Sequence, residues 1–64
     1  MSYVLKAEYK GETLYYMNVI MVTEQIDCAE TYETKEQAEK DLQHFRNLFF
    51  YGEPKIEIVE LVTV

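Results

Sequence analysis

Thr34-Lys35-Glu36-Gln37-Ala38-Glu39-Lys40-Asp41-Leu42-Gln43-His44-Phe45-Arg46-Asn47-Leu48-Phe49-Phe50-Tyr51-Gly52-Glu53-Pro54 is the stretch that decides the fold. Ala38, Leu42, Phe45 and Phe49 recur at i, i+4, i+7 and i+11, the period of one helical face, and Leu48 widens the stripe. Thr34 suits the N-cap, where its hydroxyl accepts from the N3 amide, and Gln37 at N3 completes a capping box by reaching back. Glu36 and Lys40 are spaced to pair on the wet side. Gly52 fits a left-handed C′ position and Pro54 cannot continue a helix, so the helix is predicted to stop near Phe50 or Tyr51. A single amphipathic helix needs an apolar surface to lie on.

Strands on either side supply that surface. Ser2–Tyr9 alternates, with Tyr3, Leu5, Ala7 and Tyr9 on one face and Val4, Lys6 and Glu8 on the other. Lys10-Gly11-Glu12 is a turn in which Gly11 can take a positive φ, and Thr13–Val22 is a second extended run, so the two form a hairpin. After the helix, Lys55–Val64 reads as a further strand with Ile56, Ile58, Val62 and Val64 on one face and Val59 and Leu61 on the other. Ala29–Tyr32 offers an optional short strand beside the hairpin. The reading is an α+β domain spanning 1–64: a small antiparallel sheet of three to four strands, β-β-(β)-α-β, with one helix packed on one face. A return through the helix places the last strand against the first and leaves the second at an edge.

The second strand is apolar on both faces. Leu14, Tyr16, Asn18, Ile20 and Val22 share one side, while Tyr15, Met17, Val19 and Met21 line the other. One helix covers only one of these. The surplus face, with Val59 and Leu61 beside it, is expected to be a self-association surface that makes a homodimer, and the alternative for Tyr15 and Met17 is ordinary packing within the chain. A chain of 64 residues buries only about 60% of its unfolded surface, so its core is marginal without support. The lone Cys28 cannot form an internal disulfide, and no Cys/His cluster is present to hold a structural metal.

Composition narrows the function classes. Twelve Asp and Glu against six Lys and Arg give a net charge of −6. The bases Lys6, Lys10, Lys35, Lys40, Arg46 and Lys55 are scattered, so direct nucleic-acid binding is not expected. Nor is a membrane span or a signal peptide, because no apolar run is long enough and no basic region leads the N-terminus; a cytoplasmic protein is expected. Six tyrosines invite base stacking, but that mode normally comes with a basic groove.

Catalytic chemistry is thinly supplied. Ser2 is the only serine, and Cys28 and His44 carry no surrounding nucleophile signature, which leaves them as a small thiol and a helical surface residue. Asp41 and His44 stand at i, i+3, a spacing used in metal sites when other helices add ligands, and only one helix exists here. Gly11 and Gly52 belong to no phosphate loop, and no calcium-loop pattern occurs. No catalytic residue, cofactor or metal is therefore assigned, and the chain is read as a non-enzyme.

The most distinctive motif is acidic: Glu24, Asp27, Glu30, Glu33, Glu36 and Glu39 recur every three residues, with Asp41 close behind. Such a row resembles a line of phosphates and can dock on the basic cleft of a protein partner. The plainer reading is a solvated loop and first helical turn, where Glu36 and Glu39 are favoured by the helix dipole.

Tyr3-Val4-Leu5-Lys6, then Gly11, then Ala29-Glu30-Thr31-Tyr32-Glu33-Thr34-Lys35-Glu36-Gln37-Ala38 resembles small proteins of bacteriophages and prophages, in which a hairpin precedes an aromatic-x-Ser/Thr-x-x-x-Ala helix entry. The resemblance spans most of the chain and carries over no catalytic residue. It implies an accessory protein that modulates or inhibits a host protein, in the host cytoplasm. The alternative is a structural or assembly component acting through self-association.

Overall fold

The computed structural model describes residues 2–49 and 52–61. In chain order these form β1 (Ser2–Tyr9), β2 (Glu12–Asn18), β3 (Met21–Thr23), one turn of 3-10 helix (Ile26–Cys28), α1 (Lys35–Asn47) and β4 (Lys55–Leu61). The sheet is antiparallel with order β3-β2-β1-β4, and α1 packs on one face: a small α+β fold. β4 returns beside β1, as the sequence predicts, running from Ser2↔Leu61 to Glu8↔Lys55. The expected face residues Val62 and Val64 lie outside the described residues.

The first turn follows from its two residues. Lys10 and Gly11 both have positive φ, 51° and 81°, between the paired Tyr9 and Glu12. That two-residue geometry matches the twist of the flanking strands.

Thr13–Val22 does not stay one strand. It breaks after Asn18, whose Oδ1 accepts from Ile20 N–H at 2.9 Å, and the register slips between Tyr16 and Asn18. This side-chain turn competes with the ladder and folds the run back on itself as β2 and β3. Ile20, predicted on the Leu14–Tyr16 face, consequently sits 78% exposed at the tip.

The fourth strand is thus β3 and not Ala29–Tyr32. From that segment only Tyr32 pairs, exchanging two 2.8 Å backbone bonds with Tyr3, and Glu30 N–H donates to Tyr16 C=O at 2.9 Å. The β1–β2 pairing ends at Lys6↔Tyr15, and the segment enters the split beyond it, satisfying groups that would otherwise lack partners.

The core lies between sheet and helix: Leu5, Ala7, Tyr16, Tyr32, Ala38, Phe45 and Phe49 are buried, with Leu14, Val22, Leu42, Ile56 and Ile58 packed around them. Phe45, fully buried, meets Tyr16 and Phe49 edge-on at centroid distances of 5.5 and 5.4 Å. Thr34 caps α1 as predicted, its hydroxyl accepting from Gln37 N–H at 3.2 Å. Gln37 reaches one residue further back than a capping box requires, to Glu33 N–H at 3.1 Å. Glu36 and Lys40 form no ion pair, since both ion pairs among the described residues belong to Lys6.

The helix also ends earlier than its pattern suggests. α1 stops at Asn47, and Leu48 and Phe49 continue in tighter bonds to Phe45 and Arg46 carbonyls; Phe50 and Tyr51 lie outside the described residues. Gly52 is not in the left-handed region. What its missing side chain secures is clearance: a Cβ there would meet the far end of the Tyr9 ring, which would have to shift.

Candidate functional site

The face of the sheet away from α1 divides into two halves. Toward the Lys10–Gly11 turn it is charged: Lys6 Nζ lies 3.8 Å from Glu8 Oε1 and 3.6 Å from Glu57 Oε1. Both carboxylate side chains are more than half exposed, so the pairs contribute little. An open cleft of about 320 Å³ at that end is lined by Glu8, Lys10, Glu12, Thr13 and Lys55, carrying both signs of charge. Toward the opposite end the face is apolar. Val4 is fully buried beside its partner Val59, and Tyr15, Met17, Val59 and Leu61 are half-buried. Strand alternation puts these four predicted self-association residues on one face.

Val19 and Met21, the other two, are elsewhere. They flank Ile20 at the β2–β3 tip, 60% and 50% exposed. Together with Ile26, 37% exposed in the 3-10 turn, these are the exposed large apolar residues of the described chain, all within residues 19–26. The tip is held in shape: Asn18 Oδ1 takes Ile20 N–H, and Thr23 Oγ1 takes Gln25 N–H at 3.1 Å.

The acidic residues follow directly. Glu24, Asp27, Glu30, Glu33, Glu36 and Glu39 are all exposed, and none is in an ion pair among the described residues. Their even spacing in sequence is uneven in space. Three residues advance about 4.5 Å along the helix that holds Glu36 and Glu39, but about 10 Å in extended chain such as that near Glu30. The row is therefore uneven in space: Glu24, Asp27 and Glu30 follow the apolar tip along the chain, in and around the 3-10 turn, and Glu36 stands in the first turn of α1.

Asp41 has a structural partner that sequence reading missed. Its Oδ2 accepts from Tyr32 O–H at 2.7 Å, joining the segment in the sheet split to the middle of the helix. Burial, chiefly, pushes the Tyr32 phenol far above its ordinary value near 10, and the hydrogen bond to Asp41 and that carboxylate's charge add to the rise. Tyr16 is raised as well, first by burial and then by Asp41 and Glu30. Nothing local in the sequence links residues 32 and 41; only an aromatic just before an N-cap and an acid on the stripe side of the helix hint at it.

Cys28 is exposed and its thiol leans toward Gln25 Oε1 at 3.9 Å, while His44 lies exposed on α1. Among the described residues no group of three or more His, Cys, Asp or Glu side chains comes together to hold a metal, and no helix is long and apolar enough to cross a membrane. No protein-family model, curated protein or solved structure matches the chain.

Proposed function

We propose that the chain is a small non-enzymatic binding protein that modulates a protein partner, docking through the β2–β3 tip and its acidic flank. One observation carries this reading: Val19, Ile20 and Met21 are exposed together on a turn where Asn18 Oδ1 accepts from Ile20 N–H, and Glu24, Asp27 and Glu30 follow at three, six and nine residues past Met21. A turn whose backbone is already bonded gives up less backbone freedom on docking, which favours affinity. The acids steer approach to a basic-rimmed apolar pocket and weaken in effect as salt rises. The partner is accordingly a protein with a basic surface, of the kind that handles nucleic acid, and the chain works as an inhibitor in the cytoplasm.

Capture from source-cell lysate at low and high salt tests the reading. Wild type should retain a discrete protein at low salt, Ile20→Asp should lose it at both salts, and Glu24→Lys with Asp27→Lys and Glu30→Lys should lose it at low salt. Equal capture by all three chains would sink the proposal. The half-buried face of Tyr15, Met17, Val59 and Leu61 favours a second reading, an assembly component acting by self-association.

A further inference from the structure

We infer that β4 pairs edge to edge with β4 of a second copy, joining two sheets into one continuous antiparallel sheet. The phase of the backbone leads there. Tyr3 turns its N–H and C=O to Tyr32, on the side of β1 away from β4. Backbone groups alternate sides along a strand, so Leu5 and Ala7 also turn away from β4. The hairpin gives the same phase independently, because the Tyr9–Glu12 pair that closes a two-residue turn is a hydrogen-bonded one, which points Tyr9 at β2.

Opposite Tyr3, Leu5 and Ala7 stand Glu60, Ile58 and Ile56. In an antiparallel pair, residues facing each other at a non-bonded position both aim their backbone groups outward. Ile56, Ile58 and Glu60 thus present a row of N–H and C=O groups to the outer edge of β4, where no described strand pairs. The other edge, β3, is only three residues long and by the same phase presents Val22 alone. A short edge is protected; β4 is the open one.

The row is self-complementary. A two-fold axis at Ile58 pairs Ile58 with its own copy and Ile56 with Glu60, closing about six hydrogen bonds, two for each pair. That register sets no like charges directly opposite each other. Centring on Glu57 would face two carboxylates and close fewer bonds, a penalised arrangement. The chosen axis keeps both helices on one side and brings together two Ile58 side chains already packed at the edge of the core. A foreign strand has no such built-in register, which is why a second copy fits best. The partner-binding tips remain at the far ends of the joined sheet, so the pairing does not depend on the proposed function.

Proline at an outward N–H tests this cleanly. Glu60 is exposed and its N–H faces away from β1, so Glu60→Pro removes an edge donor and leaves the β1 ladder whole. Wild type should sediment with dimer mass at micromolar concentration, and Glu60→Pro should weaken dimerisation at least tenfold with an unchanged circular dichroism spectrum. In a Cys28→Ser background, Ile58→Cys should form a disulfide-linked dimer on mild oxidation, because its Cα would face its copy across about 5.5 Å. A monomeric wild type overturns the inference, as does a dimer that survives Glu60→Pro, or one that dissociates only when Tyr15 and Met17 become Ser. Should Glu60→Pro fail to fold, absence of the Ile58→Cys crosslink overturns it alone.

Discussion

On the helix side of the sheet, Leu5, Tyr16 and Phe45 are buried in mutual contact; at the other side and at the β2–β3 tip, Tyr15, Met17, Ile20 and Met21 remain partly or wholly in water. Tyr16 stands on the same strand as Tyr15 and Met17, and the two sets have similar apolar character. What separates them is cover, because one helix of 13 residues can bury one face only. The covered set accounts for the fold. The exposed area of the uncovered set contributes nothing to an isolated chain, and the place of Ile20 and Met21 at the β2–β3 tip fits a surface meant for another molecule.

The contrast breaks most visibly at Phe45. Phe45→Ala removes a fully buried ring flanked by Tyr16 and Phe49 and should cost about 3–5 kcal/mol. A single core of this size rarely provides more than about 3–5 kcal/mol in all. The variant should therefore be largely unfolded at room temperature by circular dichroism; a cooperative transition near the wild-type midpoint would show that the core lies elsewhere.

A smaller effect sharpens how the sheet split is sealed. Tyr32→Phe deletes the bond to Asp41 and should cost about 1–3 kcal/mol at neutral pH, the range for hydrogen bonds to charged groups. It should also change the alkaline limb. The folded-state pKa of Tyr32 is raised, so its contribution is fully present below the unfolded value near 10 and is lost as pH rises beyond it toward the folded value. Urea midpoints at pH 8 and pH 11 should accordingly fall further for wild type than for Tyr32→Phe. Equal falls would mean that Tyr32 ionises freely in the folded state.

The smallest expected change is at the tip. Ile20→Asp should alter the unfolding free energy by no more than about 0.5 kcal/mol, as for other exposed positions. A loss above about 2 kcal/mol in a urea titration would place Ile20 in the structural set and dissolve the distinction.

Much of the architecture was legible in the chain. The stripe Ala38, Leu42, Phe45 and Phe49 gave the helix, Thr34 its start, and alternation in Ser2–Tyr9 the core face of the central strand, because each is a local pattern with one period. The break at Asn18 was not, since the extended-favouring residues on both sides of it, Thr13–Met17 and Val19–Val22, outweigh one turn-forming side chain unless the Ile20 amide bond is known. The Tyr3–Tyr32 bridge and the Tyr32–Asp41 bond escaped for the opposite reason: they join residues far apart in sequence, and no periodicity reports such contacts. Of the candidate surface, the acids were readable as a motif, but their division between a tip flank and a helix turn depends on how much each type of backbone advances per residue. Gly52 stands out in the sequence as a helix stop, whereas its clearance beside the Tyr9 ring is a contact between distant residues that no local pattern reports.

The most direct test of the uncovered set is site-specific photo-crosslinking in source-cell lysate, with the photoreactive residue at position 20 in one sample and at exposed Lys40 on α1 in the other. Docking through the tip predicts one discrete adduct from position 20, lost on reversing Glu24 and Asp27 to Lys, and none from position 40. No adduct from position 20, or the same adduct from both positions, would contradict it.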